Sequence, residues 1–365
     1  MKKLVIICMG LATMALVWGW GLSPCLAYYP PLQDVTGPTM VQDSETKMNV
    51  SVHDPATGKD IPGVWSIAGG AGAIAIEQSF KNQGMVAWRV HDLVNNKYQV
   101  VVGVYDPNPQ MGWQFFSGWG DWLDYAPNIL ALNDGVLLYQ CQYTTGADAD
   151  LRYRTDLYFT TYDPGKEMPD MPWIVGWRTF SHTFKSYTEG SAYGHVVKDG
   201  AAAFVYYSPS FDYIMEYLIY DSRLHAWIVD HHYPSNPTEL AINNATVTWT
   251  ENAGPQKRGY DYTETSWKND QDTRVMANFV FAPFDPKSNQ FVYFTDMSIG
   301  ANAWIWMTGD GFTTGDRSIY HQYVKPGQYT AKQDVMGPAG FDTISKTVPV
   351  DSSVNPGVFM LLLDD

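Results

Sequence analysis

An all-β fold of repeated four-stranded antiparallel meanders is predicted by three observations. The first is a recurring unit in which a Tyr-Asp pair closes one apolar run and a Trp opens the next: Tyr105-Asp106 with Trp113, Tyr162-Asp163 with Trp173, Tyr220-Asp221 with Trp227. Weaker copies at Asp54 with Trp65 and Asp296 with Trp304 set a period of about 52 to 58 residues that lengthens at the last interval. The second is a hairpin signal between apolar runs, Asn133-Asp134-Gly135 and Lys198-Asp199-Gly200. The third is that from Lys47 onward the short runs of Val, Ile, Tyr, Phe, Trp and Thr carry no helical period of useful length. Strand repeats of this length imply a radial or stacked architecture, and four-stranded meanders fit a β-propeller, with five blades the simplest count and six the alternative.

Taken in order, residues 1–27 read as an export signal. Lys2 and Lys3 precede an apolar run from Leu4 to Trp18, and Pro24-Cys25-Leu26-Ala27 marks a cleavage site before Tyr28. Residues 28–46, with Pro30, Pro31 and Pro38, form an extended lead-in, and residues 47–365 form one domain with insertions near 251–272 and 309–340. The first repeat shows only its last two strands, near Val50 and Trp65. The second to fourth repeats are complete, each with two strands ahead of its Tyr-Asp turn. The fifth begins at Glu239 to Thr250 and resumes at Phe279. Closure between the N- and C-terminal strands is expected, with Thr343 to Val350 and Val358 to Leu363 completing the first blade.

The Tyr-Asp turn followed by a Trp resembles the kelch repeat, in which a Tyr on the third strand precedes a Trp on the fourth. Tyr220 and Trp227 match its spacing, Tyr105 to Trp113 is one residue longer, and Tyr162 to Trp173 is four longer. The Gly-Gly pair of kelch blades is replaced by Arg89-Val90-His91, Gln140-Cys141-Gln142 and Val205-Tyr206-Tyr207. The resemblance implies a kelch-like propeller over roughly residues 47 to 308, in which the paired aromatics fill the wedges between sheets.

Composition bounds the function. The chain of 365 residues carries a formal net charge of -15, which becomes -17 once Lys2 and Lys3 leave with the signal; this disfavours nucleic acid and anionic membrane surfaces as partners. Beyond the signal no stretch is long and apolar enough to span a bilayer, so a periplasmic or extracellular location is expected. Cys141 is the single cysteine outside the signal and makes no internal disulfide. No nucleophile elbow, phosphate loop, zinc signature or haem motif is present, and no metal or cofactor is expected.

The connections between repeats are long and contain most of the unusual residues, with acidic and aromatic side chains concentrated in them. Trp119, Trp122, Asp124, His182, Glu189 and His232 are therefore the candidate ligand-binding residues, expected to meet at one mouth of the central channel. Aromatic faces beside carboxylates suit sugars. The favoured function is an exported protein that binds a glycan or another exported protein; the alternatives are a hydrolase or lyase using carboxylates around the channel and a structural component of an extracellular assembly.

Overall fold

The computed structural model describes residues 39–352 except 45–46, 68–73, 83, 109–110, 118–122, 145–152, 169–170, 187–193 and 209–211. Its strands form seven separate antiparallel sheets among the described residues. The first sheet has three strands, β1 (Thr39–Ser44), β2 (Lys47–Asp54) and β3 (Lys59–Ser66). Four meanders follow in chain order. The second sheet is β4 (Ile74–Asn82), β5 (Met85–Asp92), β6 (Lys97–Asp106) and β7 (Gly112–Ser117); the third is β8 (Asn128–Asn133), β9 (Val136–Thr144), β10 (Tyr153–Met168) and β11 (Met171–Ser186). The fourth is β12 (Gly194–Lys198), β13 (Ala201–Ser208), β14 (Asp212–Asp221) and β15 (Ala226–His232). The fifth is β16 (Thr238–Asn243), β17 (Thr246–Glu251), β18 (Gly254–Asp261) and β19 (Ser266–Asn269).

The last two sheets abandon the meander. β20 (Phe279–Ala282) and β21 (Phe291–Asp296) pair with β24 (Ile319–Gln322). The intervening β22 (Ala303–Met307) and β23 (Thr313–Thr314) leave to join β25 (Gly327–Gly337) and β26 (Gly340–Val350). The tight turns are those the sequence demands. Asp134 and Gly135 have φ of 44° and 78°, and Asp199 and Gly200 of 56° and 69°, the left-handed pairs that join strands in two-residue hairpins.

Several expectations are corrected. The five-blade count gives way to seven separate sheets, and among the described residues no ladder closes the first sheet with the last. Thr343 to Val350 lies in β26 and pairs with β25, while β1, inside the expected lead-in, supplies the third strand of the first sheet. Val358 to Leu363 lies outside the described residues. The kelch resemblance fails with the closed ring, since separate sheets of three and four strands, two of them interleaved, replace a uniform set of blades. Residues 251–272 are not an insertion but supply β18 and β19, with Tyr260 opposite Trp267 at the spacing of Tyr220 and Trp227. Residues 309–340 contain β23, β24 and β25. The partner of Tyr162 is Trp177, not Trp173, because the β10–β11 hairpin runs further before its register settles.

The core is a succession of layers between neighbouring sheets. Met48, Val50 and Trp65 of the first sheet pack on Trp88 and Val101 of the second. Ala87 and Val102 pack with Tyr139 and Trp177 of the third, Leu138 and Phe159 with Phe204 and Leu218 of the fourth, and Met215 and Tyr217 with Trp249 and Tyr260 of the fifth. A separate cluster, including Phe279, Phe294, Trp304 and Trp306, joins the last two sheets.

The repeated Tyr and Asp act between sheets. Tyr162 Oη donates to Asp106 at 2.8 Å, Tyr220 to Asp163 at 2.6 Å, and Tyr260 to Asp221 at 2.8 Å, so each tyrosine bonds the aspartate of the preceding unit. Tyr293 of the sixth sheet reaches Asp54 of the first at 2.8 Å. The same aspartates cap their own turns, as Asp106 does by accepting the Asn108 amide at 2.8 Å. Indoles add a second link, Trp113 Nε1 donating to the Ile61 carbonyl at 3.2 Å and Trp227 Nε1 to that of Arg178 at 3.3 Å.

Candidate functional site

Among the described residues, the sequence-predicted site divides between the seams on either side of the fourth sheet. His182, on β11, has the apolar bodies of Phe184, Phe204 and Tyr206 around its ring, with centroids 5.4 to 6.2 Å away. Its Nδ1 lies 3.1 Å from Glu216 Oε2 on β14 of the next sheet, and Tyr206 Oη donates to Glu216 Oε1 at 3.2 Å. Burial lowers the His182 pKa and raises that of Glu216, so both groups are driven towards their neutral forms. His182 Nε2 is buried and has no hydrogen-bond partner among the described residues.

His231 and His232 take opposite faces of β15, as alternation along a strand requires. His231 sits across the ladder from Glu216 on the side facing the third sheet, and its charge favours the ionised Glu216 carboxylate. It carries the exposed Tyr233 ring edge-on at 5.3 Å. His232 sits opposite Met215 and faces the fifth sheet, its ring 5.2 Å from Trp249 and its Nε2 3.7 Å from Glu251 Oε1. The two predicted histidines thus occupy equivalent places in successive seams, each against an aromatic and a glutamate of the next sheet.

Asp124 is apart from both. Its exposed carboxylate pairs with Lys97 of the second sheet, beside the bridge between Tyr98 and Leu123. Trp119, Trp122 and Glu189 lie outside the described residues. Tyr206, Glu216, Trp249 and Glu251 were missed because they belong to strands and not to long connections. Glu216 carried a signal in the sequence, a lone acid inside the apolar run Tyr213 to Tyr220.

The arrangement suits hydrogen bonding more than nucleophilic chemistry. Cys141 is fully buried, and burial pushes its thiol up to about 12, which keeps it protonated and inert. Among the described residues no three His, Cys, Asp or Glu side chains are placed to share a metal ion, and no helix is long and apolar enough to cross a membrane.

No protein-family model and no curated protein matches the chain. Among solved structures it is similar to carbohydrate-binding modules of the β-sandwich superfamily, at 27% identity and a TM-score of 0.22, over 23% of this chain and 37% of that one. It is also similar to the PKD1 domain of the Vibrio cholerae metalloprotease PrtV, at 24% identity and a TM-score of 0.20, over 22% of this chain and 99% of that one. A third is PorZ, a bacterial surface component of the type-IX secretion system of Porphyromonas gingivalis, at 9% identity and a TM-score of 0.19, over 85% of this chain and 65% of that one. Scores this low do not establish a common fold.

Proposed function

We propose that the chain is an exported binding protein that recognises a glycan where the third, fourth and fifth sheets present His182, Tyr206, Glu216, His231, Tyr233 and His232. The observation that carries this reading is the exposed Tyr233 ring seated on His231, next to a glutamate already held by His182 and Tyr206. An aromatic face offers apolar area to the C–H surface of a sugar, and an adjoining carboxylate accepts its hydroxyls. Trp119, Trp122 and Glu189 remain part of the proposed site as residues of the neighbouring connections, whereas Asp124, paired with Lys97 of the second sheet, does not.

The test is a glycan array on the chain lacking residues 1–27, repeated with Tyr233→Ala, Glu216→Gln and Trp122→Ala. Binding that falls about tenfold or more in the Tyr233 and Glu216 variants, with folding intact, supports the site. Unchanged binding in both would place the ligand elsewhere. A second reading, glycoside hydrolysis with Glu216 as the acid, draws on the burial that raises the pKa of this carboxyl. Release of reducing sugar, abolished by Glu216→Gln, would favour it.

A further inference from the structure

A cleft of about 360 Å³ opens between the fifth sheet and the tip of the β25–β26 hairpin, away from the histidine seams. Its floor is Gly259 and Asp261 at the end of β18, its wall is Gln271, Asp272 and Arg274, and Ala339 of the hairpin turn overhangs it. Gly259 makes the shape possible. A Cβ there would lie 2.4 Å from the Gln271 carbonyl oxygen and the Asp272 carbonyl carbon, so only glycine lets the wall run this close to the floor. Backbone bonds then fix the wall, with the Arg274 amide on the Tyr260 carbonyl at 2.9 Å and the Asp270 amide on the Lys257 carbonyl at 3.1 Å.

The charges in the cleft are mixed and only partly neutralised. The Arg274 side chain is 53% exposed and meets Asp261 loosely, at 3.8 Å. Its guanidinium is held over the Tyr262 ring at 5.5 Å, with Arg223 over the same ring at 4.7 Å, and it donates to the Thr263 hydroxyl at 3.2 Å. An arginine oriented by a ring and a hydroxyl, with further donors turned to solvent, is prepared for a carboxylate. Asp272 is 42% exposed and meets Lys257 at 3.2 Å through one oxygen.

A polyanion is opposed by these two carboxylates and by the net charge of -15. A simple cation is opposed by Arg274. A ligand carrying both signs meets neither objection, and the cleft volume is at the small end of the roughly 300–1,000 Å³ usual for ligand sites. We propose that this cleft binds a small zwitterion of the α-amino-acid or dipeptide class, its carboxylate on Arg274 and its ammonium between Asp261 and Asp272.

Isothermal titration of the full chain with the free amino acids and glycylglycine tests this, with N-acetylglycine and glycine methyl ester as capped controls. The expected result is saturable binding of at least one zwitterionic probe, weakened about tenfold or more by Arg274→Gln and by Asp272→Asn at unchanged melting temperature. The capped controls should bind as weakly as the variants do. Absence of saturable binding up to about 10 mM overturns the proposal, as does binding that Arg274→Gln leaves intact or that the capped compounds match. Competition by a neutral monosaccharide at equal strength also overturns it, since the cleft would then be reading hydroxyls. The variants lie outside the histidine seams, so loss of glycan binding there and loss of zwitterion binding here are separable.

Discussion

The second to fifth sheets and the last two solve the same packing problem differently. In the former, each sheet is a local meander, and the third, fourth and fifth are each linked to the preceding sheet by a buried but electrically modest contact, a tyrosine hydroxyl on a turn aspartate. Tyr220 and Asp163 are typical, at 2.6 Å, with His225 also 2.6 Å from the same carboxylate oxygen. In the last two sheets the strands interleave, and an arginine and a carboxyl group meet inside, where burial raises the Asp296 carboxyl to about 7. Arg317 and Asp296 are 7% and 0% exposed in their side chains, 3.4 Å apart, with the Gln333 amide donating to Asp296 at 2.7 Å and the Trp304 ring 5.2 Å from the guanidinium. A repeat can reuse a contact that turn residues supply locally, whereas the interleaved core draws the partners of Asp296 from distant strands, Arg317 and Gln333.

The sharpest test of that contrast is Arg317→Met. It leaves the Asp296 carboxylate buried without its cation, and chemical denaturation should show a loss of about 3 to 5 kcal/mol. Adding Asp296→Asn should recover much of it, because the cost lies in the stranded charge more than in the lost attraction. Tyr220→Phe should cost less, about 1.5 to 3 kcal/mol for a hydrogen bond to a charged group, with His225 still serving Asp163. If the tyrosine change costs as much as the arginine change, the two regions do not differ in the way argued.

A smaller effect sharpens the comparison within the regular sheets. The hairpin turns of the third, fourth and fifth sheets interlock, Asp134 accepting the Asp199 amide at 2.9 Å and Asp199 accepting the Ala245 amide at 3.4 Å. Burial first, and then the neighbouring Asp134, push the Asp199 carboxyl from its ordinary 3.8 up to about 7, against the opposing Lys198 ammonium and the amides of Asn244 and Ala245. The folded chain therefore holds this proton more tightly than the unfolded one. The associated stability is full below the ordinary value and is lost as pH rises through about 7. Denaturant midpoints measured from about pH 5 to 8 should fall with rising pH, and Asp199→Asn should flatten that slope. A slope unchanged by the substitution would assign it to other groups.

The sequence by itself determined the strand content, the hairpin turns and the Tyr-Asp-Trp punctuation, because these follow from alternation, from the left-handed freedom of Asp-Gly, and from residue types at short range. It left Tyr260-Asp261 and Trp267 unread because the polar residues around them mask the unit, although the spacing is that of Tyr220 and Trp227. Only the tertiary structure decided which tyrosine meets which aspartate, since the partners lie 39 to 57 residues apart within the regular sheets and 239 apart for Tyr293 and Asp54. It also decided that β22 and β24 exchange sheets, that His182 meets Glu216 across a seam, and that Arg274 faces a cleft roofed by Ala339. Local propensity fixes what a strand is. Which strand lies beside it is chosen by the burial of apolar faces and the pairing of buried polar groups across the whole chain, and no short window of residues contains that choice.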